Sequence, residues 1–171
     1  MDEFKNKIRN IPDFPKKGIL FRDITTLIKE GEMFRKVIDI IAERFRDEGI
    51  DAVASVEARG FILGGALAYR MGVGIVPIRK KGKLPAKTFR ASYELEYGQD
   101  TLEVHQDAFE KNQKVLLVDD LLATGGTASA SIELIENSGS NVAGAAFLIE
   151  LADLGGADKL AGYPIFSVIR Y

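Results

Sequence analysis

Residues 114–127 read KVLLVDDLLATGGT, a continuous apolar run that ends in two adjacent carboxylates and then turns through Thr-Gly-Gly-Thr. A strand that is apolar at every position is buried on both faces, the situation of a parallel sheet covered by helices. Asp119 and Asp120 then fall at the C-terminal end of that strand, where open α/β sheets bind their ligands. Neighbouring acids repel each other at neutral pH, so the pattern calls for a polar or cationic partner. Side chains alternate along a strand, so the two carboxylates need not address the same atom.

The surrounding chain repeats the strand-turn-helix rhythm. Phe34, Val37, Ile38, Ile41, Ala42 and Phe45 recur at three- and four-residue spacings, predicting an amphipathic helix closed by Gly49. IDAVASV, FILGGALAYRMG and GIVPI predict strand, helix and strand, with the paired glycines allowing close packing against a sheet. TASASIELIENSG predicts the helix after the glycine turn, followed by a strand in VAGAAFLIE, a short helical segment near GADKLAG and a last strand in IFSVIRY. YELEYG and TLEVH alternate well enough for a two-stranded antiparallel excursion with Gly98 near its turn. MDEFKNKIRNI predicts a short helix with Phe4, Ile8 and Ile11 on one side, and PDFPKKGILFRDIT an extended or irregular arm. The expectation is a single α/β domain over residues 1–171. A mostly parallel, five-stranded core sheet is flanked by helices, with a flexible antiparallel loop excursion and an arm formed by residues 1–30.

Composition removes several function classes. The chain has no cysteine and one histidine, His105, which excludes thiol catalysis, disulfides and a thiolate metal site and makes zinc a poor expectation. The start of the chain is charged and no apolar run is long enough for a membrane span, so a soluble, cytoplasmic protein is expected. A formal net charge of -2 does not suggest nucleic-acid binding in general. Charge is concentrated locally, because RKKGKLPAKTFR, residues 79–90, carries six basic residues and no acid. Gly82 and Pro85 argue there against a regular element.

Each chemical signal has a plainer reading beside it. Ala123, Thr124, Gly125, Gly126 and Thr127 offer hydroxyls, close backbone approach and a helix start, all of which favour a phosphate. They equally describe a connection whose glycines serve geometry and whose threonine caps the helix. Glu57 and Arg59 are compatible with a surface ion pair, the basic segment with a solvated face, and Tyr93, Leu95 and Tyr97 with strand packing. Neither the P-loop spacing nor the G-x-G-x-x-G dinucleotide fingerprint occurs.

VLLVDDLLATGGT resembles the phosphoribosyl diphosphate signature of the type I phosphoribosyltransferase family. FPKKGILFRDIT at 14–25, EARGF at 57–61 and YELEYG at 93–98 resemble its adenine-specific members, and together these segments span nearly the whole chain. The resemblance implies that Ala123, Thr124, Gly125, Gly126 and Thr127 cradle the donor's 5-phosphate while Asp119 and Asp120 face the ribose hydroxyls. It implies diphosphate contacts from Arg59, Arg79, Lys80, Lys83 and His105, with Arg79 serving the neighbouring subunit of a homodimer. Leu20, Phe21 and Arg22 would read adenine under a hood formed by the arm, Leu151 would close the other side, and Glu96 would meet the imidazole edge of the purine. Phe21 and Leu151 are equally compatible with core packing. Lys17 stands where many members show a second proline.

The implied reaction is transfer of phosphoribosyl from 5-phospho-α-D-ribose 1-diphosphate to N9 of adenine, giving AMP and diphosphate in purine salvage. Magnesium would be carried mainly by the donor, with no direct protein ligand. The alternatives are a phosphoribosyltransferase for another purine and a donor-sensing nucleic-acid regulator, although no separate helix-turn-helix segment is evident.

Overall fold

The computed structural model describes residues 2–94 and 99–171. Helix α1 (Asp2–Lys5) leads into a two-stranded antiparallel ribbon of β1 (Arg9–Pro12) and β2 (Leu20–Asp23). Two helices follow, α2 (Thr25–Ile28) and α3 (Gly31–Arg44). The main sheet is then laid down by β3 (Ala52–Val56), α4 (Gly60–Met71), β4 (Gly74–Lys80), β5 (Thr88–Glu94), β6 (Gln99–His105), β7 (Lys114–Leu122), α5 (Gly126–Asn137), β8 (Asn141–Glu150) and β9 (Ile165–Arg170).

The seven strands of that sheet run in the order β5-β6-β4-β3-β7-β8-β9. Five of them, β4, β3, β7, β8 and β9, are mutually parallel, while β6 pairs antiparallel to β4 and β5 antiparallel to β6. The expected parallel five-stranded core is present, and the antiparallel excursion extends it by two strands. Chain order reverses at β3, since the next parallel strand, β4, lies on one side of it and β7 on the other. Loops leaving β3 and β7 therefore diverge at a topological switch point, which opens a crevice between their carboxyl ends.

The apolar runs form these strands because helices cover both faces. Val115, Leu116, Leu117 and Val118 have no exposed surface. Leu116 and Val118 join a core with Val37, Ile41 and Phe45 of the α3 segment and Leu63 and Leu67 of α4, whereas Val115 and Leu117 join a second core with Ile132, Leu134 and Ile135 of α5. Burial of each such side chain contributes about 1.5–3 kcal/mol, so the two layers hold the sheet that carries the crevice. The glycine pair of α4 divides its work. A Cβ on Gly64 would collide with Ser55 of β3, whereas one on Gly65 would meet nothing within 4 Å.

One local expectation is corrected and a second is narrowed. The opening helix stops at Lys5 and the chain passes into β1, so Phe4 and Ile8 are buried while Ile11 belongs to the ribbon. The basic segment is regular only at its ends, where Arg79 and Lys80 finish β4 and 88–90 open β5, while 81–87, with Gly82 and Pro85, form the irregular turn expected there. Arg79 and Arg90 at those ends both stand opposite Glu103 of β6.

Candidate active site

β3 pairs with β7 only as far as Ser55 and Val118. Beyond that register β3 turns away through 57–59, and β7 continues alone on this side through Asp119 and Asp120. The space between them is a cleft of about 540 Å³ lined by Glu57, Ala58, Arg59, Lys80, Tyr93, Asp119, Asp120 and the residues from Ala123 to Thr127 among others. Arg59, Lys80, both acids and the whole glycine turn are thus brought together.

The acid pair has its cation. Arg59 Nε lies 2.8 Å from Asp120 Oδ2; the Asp120 side chain is buried, while Arg59 keeps about a third of its surface in solvent. Removing Arg59 would leave the buried Asp120 charge without its cation, so the arginine holds the acid in place. Asp119 turns the other way, accepting the Asp120 amide N–H at 2.8 Å and lying against Gly60, where a Cβ would be 2.7 Å from its Oδ1. Burial pushes the Asp119 carboxyl well above the usual carboxylate range, and the Asp120 charge adds to the rise. Asp120 is also raised by burial, with Arg59 opposing the shift.

The ion pair considered between Glu57 and Arg59 does not form. The Glu57–Ala58 peptide is cis, and Glu57 instead accepts the Lys80 amide N–H and Arg79 Nε, each at 2.8 Å. Those bonds and the Arg79 charge, opposing the effect of burial, hold its carboxyl below the ordinary value. Glu57 therefore ties the loop after β3 to the end of β4, a role visible only when the two strands are paired. Lys80 Nζ reaches Asp100 Oδ2 at 3.0 Å from the edge of the same cleft.

The glycine turn leaves its amides available. Gly125, with φ +80°, occupies the N-cap of α5, and no side chain caps that helix. The reading of threonine as the cap is thereby corrected. First-turn N–H groups of an uncapped helix are unsatisfied by the helix itself and form an anion-binding end.

Other candidates lie outside this lining. Arg79 pairs with Glu57 of its own chain and donates Nη1 to the Lys83 carbonyl at 3.2 Å, while His105 Nε2 accepts the Ala86 amide N–H at 3.4 Å. Leu20 is exposed on β2, and Phe21 is half-buried, edge-on to Phe14 at 5.1 Å and under the Arg59 guanidinium, also at 5.1 Å. Arg22 lies 3.8 Å over the Tyr171 ring and donates to Asn10 Oδ1 at 2.5 Å. Leu151 packs against the first core and donates its N–H to the Leu122 carbonyl. Glu96, Leu95, Tyr97 and Gly98 lie outside the described residues. Tyr93, which sequence reasoning treated as strand packing, lines the cleft.

Among the described residues no three Asp, Glu or His gather to hold a metal ion unaided. The carboxylates of Asp119 and Asp120 are hard oxygen donors suited to contacting a magnesium ion that brings its other ligands with it. No helix among the described residues is long and apolar enough to cross a membrane.

This arrangement has close counterparts. Residues 23–164 match the family model described as phosphoribosyl transferase domain. The adenine phosphoribosyltransferase of Desulfitobacterium hafniense is 56% identical over 169 residues, covering 99% of this chain and 98% of the relative. The crystal structure of adenine phosphoribosyltransferase from Thermoanaerobacter pseudethanolicus superposes with a TM-score of 0.97 at 52% identity, covering 99% of each chain. That of the Saccharomyces cerevisiae enzyme, complexed with an imino-altritol bisphosphate and adenine, has a TM-score of 0.92 at 40% identity, covering 98% of this chain and 97% of that one. Similarity of this extent, in sequence and in fold, places the chain in the adenine phosphoribosyltransferase family of phosphoribosyl transferase domains.

Proposed function

We propose that the chain catalyses transfer of phosphoribosyl from 5-phospho-α-D-ribose 1-diphosphate to N9 of adenine, releasing diphosphate and forming AMP for purine salvage in the cytoplasm. The observation that carries this reading is the juxtaposition, in one cleft, of an uncapped helix start and a carboxylate pair with its arginine. A phosphate at the first and ribose hydroxyls at the second describe the two ends of a phosphorylated sugar.

Ala123 to Thr127 hold the 5-phosphate through amides and hydroxyls, and Asp119 and Asp120 face the ribose. Arg59, Lys80, Lys83 and His105 serve the diphosphate, whose charge offsets the mutual repulsion of the basic turn. Magnesium bound to the donor lowers repulsion between phosphates and helps diphosphate depart. Adenine N9 attacks C1 in line as the C1–O bond to diphosphate breaks, inverting that centre, and the N9 proton leaves the base. Glu96 is the proposed partner of the purine imidazole edge in that proton transfer. Positive charge gathers on the ribose ring along the way, and the Asp120 carboxylate stabilises it. Leu20, Phe21 and Arg22 of the arm, residues 1–30, and Leu151 hold the base, with Phe21 against Arg59 linking the arm to the donor side.

The functional unit is a homodimer. Ile62, Tyr69 and Ile75 present exposed apolar surface on α4 and at the start of β4, and Tyr69 is 90% exposed. We take that face as the surface a second copy covers, and Arg79 as the residue that serves the partner's cleft.

The test is initial-rate release of diphosphate with magnesium and donor, run in parallel with adenine, hypoxanthine, guanine and xanthine. Adenine-dependent release with stoichiometric AMP is expected. Preference for another base overturns the assignment of the arm, and no release with any base overturns the transferase reading.

A further inference from the structure

Gly156 is buried between two short 3-10 turns, Ala152–Leu154 and Asp158–Leu160. Its backbone packs directly against the loop after β7. A Cβ on Gly156 would land on the Ala123 carbonyl oxygen and lie 3.0 Å from the Gly125 nitrogen, while a Cβ on Gly125 would lie 2.6 Å from the Gly156 carbonyl oxygen. These neighbours are backbone atoms, which have no rotamer with which to yield, so a methyl group must displace one segment or the other.

The supporting turn has little freedom to retreat. Leu160 is 1% exposed and sits in the second core with Ala157 against it. The amide of Asp158 is bonded to the Gly155 carbonyl at 3.1 Å. The Tyr93 ring stands 3.2 Å from where a Cβ on Gly126 would be. The glycine turn is thus in close contact with Gly156 at Ala123 and Gly125 and with Tyr93 at Gly126.

We infer that Gly156 is a positioning residue for phosphate binding: its missing side chain sets the height at which the Gly125–Thr127 amides converge. This rests on the reading of Ala123 to Thr127 as the cradle for the 5-phosphate. Several amides must point at one phosphate within tenths of an ångström. An outward shift of the loop spoils that convergence without touching the proposed diphosphate contacts Lys80, Lys83 and His105. The consequence is selective, because the donor, AMP and ribose 5-phosphate all carry a 5-phosphate and diphosphate alone does not.

The experiment compares the parent with Gly156→Ala, Gly155→Ala and Thr127→Ala, measuring Kd for ribose 5-phosphate, AMP and diphosphate by calorimetry. Gly155 has φ +64° and no backbone neighbour of the kind Gly156 has, so its replacement strains the same turn without pressing on the loop. Gly156→Ala is expected to weaken ribose 5-phosphate and AMP by about 10–100-fold with diphosphate changed less than about twofold. Gly155→Ala should lower the melting temperature yet leave all three constants within about twofold. Equal weakening of all three ligands by Gly156→Ala, or weakening of none, overturns the inference. If Thr127→Ala leaves ribose 5-phosphate binding unchanged, the cradle reading falls; if Thr127→Ala weakens it and Gly156→Ala does not, only the role of Gly156 falls. Hydrogen exchange on the unmodified protein decides the case should Gly156→Ala fail to fold. Ribose 5-phosphate is expected to protect the amides of 155–157 together with those of 124–127, and protection confined to 124–127 overturns the inference.

Discussion

Arg59 Nε and Asp120 Oδ2 are 2.8 Å apart, joining the loop after β3 to the carboxyl end of β7. Nothing in the local sequence pairs these residues; the parallel register that sets Ser55 beside Val118 does so by ending β3 just short of Asp120. The same guanidinium stands over Phe21, so one side chain contacts both Asp120 and the arm. Loss of the Asp120 charge is expected to act on the step that develops positive charge.

Asp120→Asn keeps the shape of the side chain and removes that charge. Turnover should fall by about 10- to 1,000-fold while donor binding falls much less. Steady-state kinetics with saturating adenine, together with direct donor binding, check this. Unchanged turnover would refute the electrostatic role.

Asp119→Asn should stabilise the protein while impairing it. Asp119 is raised above its ordinary value of 3.8, so on raising the pH the unfolded chain ionises first and the native state loses stability until its own carboxyl ionises. The destabilisation is complete above the native pKa and is relieved as pH falls towards 3.8. The melting temperature of the variant should exceed that of the parent at neutral pH, with the gap closing in acid. Weaker contact with the ribose hydroxyls should cost about tenfold in donor affinity. A lower melting temperature at neutral pH would count against burial as the dominant influence on Asp119.

Asp23 shows the opposite linkage. Hydrogen bonds from Thr25, with Arg9 assisting, hold its carboxyl at about 2, below the ordinary 3.8. That contribution is fully present above 3.8 and is lost as pH falls through about 2. Asp23→Asn is expected to lower stability at neutral pH by about 1 kcal/mol, discounted for the nearby solvent, and to make little difference at the acid end. Denaturant melts across pH measure it, and a difference independent of pH would rule the linkage out.

Tyr171 should steady the arm, because the Arg22 guanidinium lies 3.8 Å from its ring centre. Tyr171→Ala is expected to raise KM for adenine about fivefold, whereas Tyr171→Phe, which keeps the ring, stays near the parent. Equal effects of the two substitutions would show that the ring face is not what holds Arg22.

Much of the site is readable from local pattern. The run of Val115 to Val118 announces a doubly covered strand, the acids and Thr-Gly-Gly-Thr follow at its end, and burial of all four apolar residues bears the pattern out. Resemblance marks Arg59 as a candidate anion contact, but its pairing with Asp120 is not legible in the sequence, since the residues are far apart in the chain. Glu57 looked like a partner for Arg59 because they are neighbours in sequence. In the fold it faces β4, where Lys80 offers an amide and Arg79 a charge. In the basic segment Gly82 and Pro85 mark the irregular turn at 81–87, whereas the strand positions of Arg79 and Arg90 depend on their pairing opposite Glu103.

The alternation of strands and helices, the burial of β7 on both faces, and the two acids and glycine turn at its carboxyl end are all legible in local pattern. Periodicity and glycine positions are local properties, and they survive the loss of every distant contact. The strand order that opens the crevice, the choice of Arg59 as the cation for Asp120, and the close packing of Gly156 on the glycine turn emerge from the folded chain alone. Those depend on register and on the close approach of backbones remote in sequence, which are set when the two cores pack and not before.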